Sequence, residues 1–136
     1  MKGIYVRSQH RNTLAVQELL IRMSQEKVDA VIVGAGWANH LTGCCDAFLR
    51  YSLQDSHVRV IGVAFKDEVQ ARRTQAAVLS ITEVPGTQVI FNDYIGPDGF
   101  VRACLLAIGG ELKEITLPAP RPTLDMDLPE AIEKAK

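Results

Sequence analysis

Apolar positions along this chain follow two periods, and the alternation between them predicts an α/β fold. Val31-Ile32-Val33, at the end of the run from Val28, is unbroken and β-branched, as in a strand buried on both faces. Val58 to Phe65 repeats that signal, Val89-Ile90-Phe91 is a shorter version, and Lys2 to Val6 reads as a strand ahead of them. Between the strands the period changes. From Thr13 to Lys27 apolar residues recur at helical spacing, with Leu14, Leu20, Ile21 and Met23 on the stripe and Asn12 or Thr13 as the cap. A second helix is expected from Ala38 to Arg50, a third over Gln75 to Ile81, and a fourth over Phe100 to Ile108, ended by Gly109-Gly110. Tyr51 to His57 is a polar connection, and Lys66 to Arg73 is either a helix start or a loop. Pro85-Gly86 and Gly96 to Gly99 mark turns.

Strands alternating with helices imply a parallel sheet covered on both faces. The Val31–Val33 strand should lie near its centre, with Lys2–Val6 or a partner chain beside it. Beyond Gly110 the pattern stops. Leu117-Pro118-Ala119-Pro120-Arg121-Pro122 cannot be helical and should form an extended arm, followed by a short helix from Leu128 to Lys136 with Pro129 in its first turn. Two units follow: residues 1–110 as the α/β domain and 111–136 as an arm that either docks on a neighbouring subunit or hangs free. The Phe100–Ile108 helix is apolar over more than one stripe, which suits packing on two neighbours and hence an obligate homo-oligomer.

Composition narrows the classes. The chain has 136 residues, 47% hydrophobic and 23% charged, which suits one globular domain. A net charge of -1 offers no footprint for nucleic acid. No apolar run approaches the ~20 residues of a membrane span, and the first residues lack a signal-peptide core. Cys44, Cys45 and Cys104 match no zinc spacing, so no metal is expected. All three are expected to be buried thiols in a reducing cytoplasm.

The candidate chemistry lies after the strand. Gly34 and Gly36 let the backbone bend at the carboxyl end of Val31–Val33, where open α/β sheets place a ligand crevice. Asn39 replaces the third glycine of a dinucleotide fingerprint, so that reading fails. His40 follows the turn. It can be a proton carrier near neutral pH or an incidental surface histidine. Cys44 lies one helical turn beyond His40, which admits a thiol nucleophile, although nothing nearby lowers its pKa.

Gly34-Ala35-Gly36-Trp37-Ala38-Asn39-His40-Leu41-Thr42-Gly43 resembles the GAGGAAHLPG signature of the PurE family, the mutases and carboxylases that act on aminoimidazole ribonucleotides in purine biosynthesis. Ser8-Gln9-His10-Arg11 resembles its SAHR motif, at a distance from Gly34 that needs no gap. Ile61-Gly62-Val63 resembles its VxGVP strand, and Ser80 to Gly86 its SIVQMPxG segment. The likeness spans about residues 4 to 108. Departures are Trp37 for a glycine, Thr42 for a proline, a longer connection from Arg50 to His57, and a Lys66–Arg73 loop without the family's small residues. The family's opening strand and GSxSD phosphate loop have no counterpart.

The resemblance implies a three-layer sandwich around a parallel, flavodoxin-like sheet lacking the family's first strand. It also implies a homo-oligomer, octameric in many members, with sites at subunit boundaries. His40 would carry the proton as a carboxylate moves onto the ring carbon. Ser8, His10 and Arg11 would bind the anionic, ribonucleotide-like substrate, with His10 alternatively only orienting its loop. Gly34, Ala35, Gly36 and Trp37 would line the crevice and receive CO2 or bicarbonate. No organic cofactor is implied. A different heterocycle stacked on Trp37 is a second possibility. A third is a non-catalytic oligomeric scaffold whose crevice Trp37 fills.

Overall fold

Residues 30–35 and 59–64 pair in parallel as strands β1 (Ala30–Ala35) and β2 (Arg59–Ala64), in register from Ala30 opposite Arg59 to Ala35 opposite Ala64. The structure is a computed structural model describing residues 2–120 and 122–136. Met1, and Arg121 of the expected arm, lie outside the described residues. Side chains alternate across the strands, so each face of the sheet builds its own core. On one face Val31, Val33, Val58 and Val60 pack with Val16 and Leu20 of α1 (Thr13–Gln25) and with Cys45 and Leu49. Cys45 belongs to α2 (His40–Ala47), which runs into a π-helical turn at Phe48–Ser52. The same face carries α3 (Ala71–Thr82), whose Ala77 and Ile81 pack beside Ala64. On the other face Ile61 and Val63 pack with Tyr94 and with Ala103 of α4 (Gly96–Gly109). Helices on both sides of a parallel open sheet make the three-layer α/β architecture that the alternating pattern predicts, a flavodoxin-like arrangement short of one strand.

Gly62 is fixed by this packing. A Cβ there would come within 2.9 Å of Ile81 and 3.2 Å of Thr42 and Val89, so α2 and α3 reach the sheet only because that side chain is missing.

Three sequence expectations need correction. Lys2 to Val6 forms no strand. It runs exposed along the surface, where Tyr5 lies 5.4 Å from the Arg22 guanidinium and Lys2 pairs with Glu26 at 3.6 Å, and these α1 contacts take the place of a sheet edge. β1 is therefore an edge strand among the described residues, and β2 occupies the middle. Val89 to Phe91 contributes isolated pairing and no strand: Ile90 bridges to Ile61 and Ile95 to Ala64. Between these bridges Asp93 turns into the left-handed region (φ 52°), which interrupts the ladder. The third correction concerns element ends. α2 proper stops at Ala47, and α4 starts at Gly96, four residues before Phe100, with Pro97 in its first turn. Lys66 to Gln70 is loop, and α3 takes over at Ala71.

After α4 the chain returns to its own domain. Leu112 packs on the α4 core, and Gln88 clasps Thr116, its Nε2 donating to the Thr116 carbonyl (2.6 Å) and its Oε1 accepting the Thr116 N–H (2.9 Å). α5 (Leu128–Lys134) is capped by Asp127, which accepts the Glu130 N–H at 2.9 Å.

Candidate functional site

The turn after β1 is anchored by a residue whose importance the sequence reading missed. Asn39 is fully buried. Its Oδ1 accepts the Thr42 N–H (3.2 Å), capping α2, and its Nδ2 donates to the Val63 carbonyl of β2 (3.1 Å). Thr42, also buried, donates its hydroxyl to the Val33 carbonyl at 3.3 Å. The first turn of α2 is thus fastened to both strands, and His40, its first residue, is held at the carboxyl end of the sheet. The signal available in the sequence was an asparagine immediately before a helix.

His40 is exposed, and its Nδ1 lies 3.3 Å from the Nε2 of His10, with the two rings edge to face at a centroid distance of 5.3 Å. His10 reaches it from a turn closed by Asn12, whose N–H donates to the Ser8 carbonyl (2.8 Å) and whose Oδ1 accepts the Ser8 N–H (3.3 Å). The Thr13 hydroxyl donates to the Gln9 carbonyl. Asn12 thus precedes α1 without capping it by its side chain. Ser8 serves this turn through its backbone, and Arg11 is exposed with no ion pair among the described residues.

The glycine turn has one occupied side. A Cβ on Gly34 would fall 2.7 Å from the Phe65 ring, so the close approach that Gly34 permits is made by Phe65 at the end of β2. Gly36 has only the Phe65 Cβ in reach, at 3.5 Å. Trp37 holds a left-handed backbone (φ 66°), a conformation that costs a residue with a side chain roughly 1–2 kcal/mol. Its indole is 63% exposed and does not fill a crevice. The Arg73 guanidinium lies 4.0 Å over the indole ring.

Other candidates separate from the site. His57 hydrogen-bonds to the Lys27 carbonyl and pairs with Asp29 at 3.4 Å, on the connection to β2. Cys45 is buried while Cys44 and Cys104 are only half-buried, so the expectation of three buried thiols holds for one. Burial pushes the Cys45 thiol up to about 12, and burial also raises Cys44. A raised pKa is the opposite of what a nucleophilic thiol needs. Among the described residues no three metal-binding side chains gather, and no helix is long and apolar enough to cross a membrane.

Comparison with known proteins follows the same residues. The family model for AIR carboxylase matches residues 2–109 of the chain. The chain belongs to the AIR carboxylase family. The family is one of purine-biosynthesis carboxylases and mutases, and the matched stretch contains the histidine pair, the glycine turn and both strands of the AIR carboxylase-like domain. A search of curated proteins gives no match to the chain.

Proposed function

We propose that the protein moves a carboxylate on an aminoimidazole ribonucleotide or a closely related heterocycle, with His10 and His40 as one proton-transfer unit. The observation that carries this reading is the 3.3 Å contact between His10 Nε2 and His40 Nδ1 at the carboxyl end of the sheet. Carboxylation of an aminoimidazole joins a ring carbon to the carbon of CO2, and the ring hydrogen must then leave as a proton to restore aromaticity. In the mutase direction the nitrogen-bound carboxylate departs as CO2 and the nitrogen regains a proton. Both need a group that takes and returns a proton near neutral pH, worth typically ~10²–10⁴-fold.

Two facing imidazoles suit that exchange. In a hydrogen bond between ring nitrogens one donates and the other accepts, so a single proton lies between the rings. The outward nitrogens, His10 Nδ1 and His40 Nε2, are then left to meet substrate. Arg11, on the His10 turn, supplies a cation for a phosphate or carboxylate, and Ser8 a hydroxyl. Gly34, Ala35, Gly36 and Trp37 form the wall against which the base would lie. The exposed α5 supports reading residues 111–136 as an arm whose first part, at Leu112 and Thr116, lies back on the α/β domain, and the exposed apolar side of α4 supports a homo-oligomer.

The test is carboxylate exchange with labelled bicarbonate on both the nitrogen-carboxylated and the carbon-carboxylated imidazole ribonucleotide. Incorporation or release of label is expected from the purified chain. Absence of exchange on either compound removes this substrate.

A further inference from the structure

We infer that Trp37 and Arg73 form a stacking platform for a planar heterocycle, with Arg73 as the residue that positions the indole. Four observations converge on it. Trp37 occupies a left-handed backbone that glycine would adopt without strain (φ 66°), so something outside the local chain preference keeps a tryptophan there. The indole is 63% exposed although one of its faces carries the Arg73 guanidinium at 4.0 Å, which leaves the opposite face open. Arg73 is itself set in place. Its Nη1 donates to Asp67 Oδ2 at 3.1 Å, and Asp67 accepts the Val69 and Gln70 N–H groups while its own N–H donates to the Thr74 hydroxyl, so the loop ahead of α3 is ordered around that ion pair. Finally, Arg73 Nε is buried with no partner among the described residues. The guanidinium thus sits over the ring with one of its N–H groups unpartnered.

Charge and shape together say what the open face takes. The guanidinium lies against the indole's negative face, but its ion pair with Asp67 leaves no net charge behind the ring. The open side therefore selects by shape, taking a flat π-system that can stack on the indole. Base-on-aromatic stacking is tolerant of ring identity and is worth about a tenfold or greater change in affinity per ring. Trp37 lies three residues before His40 on the same turn, so a ring held there belongs to the substrate of the histidine pair. That assignment to the histidine pair's substrate, and the identity of the ring, rest on the reading above.

Trp37 is the only tryptophan in the chain, so its fluorescence reports the platform directly. The full chain is titrated with aminoimidazole ribonucleotide, inosine monophosphate and ribose 5-phosphate, following fluorescence and, separately, heat. Quenching by ring-bearing ligands and none by ribose 5-phosphate is expected. Trp37→Gly should melt no lower than the parent and bind the same ring about tenfold more weakly. Arg73→Met should weaken it about threefold, and Arg73→Lys should restore part of that loss, which a purely structural role for Arg73 would not do. Ring binding by calorimetry that is equal in parent and Trp37→Gly overturns the platform and leaves the substrate reading standing. Trp37-dependent quenching by inosine monophosphate but no response to aminoimidazole ribonucleotide supports the platform and removes that substrate. No ring-dependent quenching and no heat from any ligand overturns both.

Discussion

His10 Nε2 and His40 Nδ1 face each other at 3.3 Å although thirty positions separate them in the chain, one on the turn before α1 and the other opening α2. A contact between two exposed imidazoles adds little to stability. If the pair is the proton-transfer unit, either ring alone should be insufficient. His40→Asn and His10→Asn are each expected to lower carboxylate exchange by ~10²–10⁴-fold, with thermal unfolding nearly unchanged. The double variant should lose little more than either single one, because groups acting as a unit are not additive. Full turnover in His10→Asn would assign the proton to His40 alone.

Asn39 offers a sharper separation of folding from chemistry. Removing its amide takes one donor from the Val63 carbonyl and the side-chain acceptor from the Thr42 N–H. Asn39→Ala should therefore cost about 2 kcal/mol by urea titration, combining the loss of a cap with an unmade buried hydrogen bond. Asn39→Asp keeps the acceptor for Thr42 but loses the donor to Val63, so it should retain the cap and still be destabilised. Because His40 is the next residue, exchange per folded molecule should fall in Asn39→Ala as well.

What the sequence revealed depended on whether a residue's role was local. The β-branched runs of β1 and β2, the glycine turn and the position of His40 were legible because strand burial and a sharp bend are written in neighbouring residues. Lys2 to Val6 has the same local look as a strand, yet Ile4 is 79% and Val6 87% exposed, because α1 and not the sheet edge holds the segment. The pairing of His10 with His40 was invisible for a different reason: it is set by where two turns meet in space. The same holds for the buried Arg50. Its Nε donates to Asp46 Oδ1 at 3.1 Å and its two Nη groups to the Asp55 and Val58 carbonyls, while Asp46 Oδ2 accepts the Gln88 N–H at 2.8 Å. A π-helical turn carries that arginine inward, and no apolar period announces it.

Asp55 links that network to pH. Burial alone would raise its pKa. The Ser24 hydroxyl, the Val58 and His57 N–H groups and the nearby Arg50 outweigh burial and hold the carboxyl below its usual range. A group depressed in the folded state binds protons more readily when unfolded. Its contribution is therefore complete above the unfolded value, ~3.9, and is lost as pH falls through the lower folded value. Asp55→Asn should be less stable than the parent at pH 7. The gap in urea midpoint should close progressively below about pH 4, and a gap independent of pH down to 2.5 would contradict the assignment.

Assembly follows from the side of α4 that its own domain leaves bare. Ala103 is fully buried against the sheet, but Phe100 is 40%, Val101 55%, Leu105 64% and Ile108 85% exposed. Isolated exposed apolar residues are ordinary, whereas four on one 14-residue helix form a continuous surface of the kind that marks a contact. A small chain also buries a modest share of its surface by itself. A homo-oligomer through this face is expected, and a stable obligate interface buries ~2,000 Å² or more in total. Light scattering at micromolar concentration should report a multiple of 14.9 kDa. Leu105→Glu places a charge in the patch without touching the buried Ala103 contact. It should shift the particle toward the monomer while far-ultraviolet circular dichroism stays the same. A parent protein that is monomeric at these concentrations would refute the interface, and an oligomer indifferent to Leu105→Glu would move it to another face, with the edge of β1 that is unpaired among the described residues the next to test.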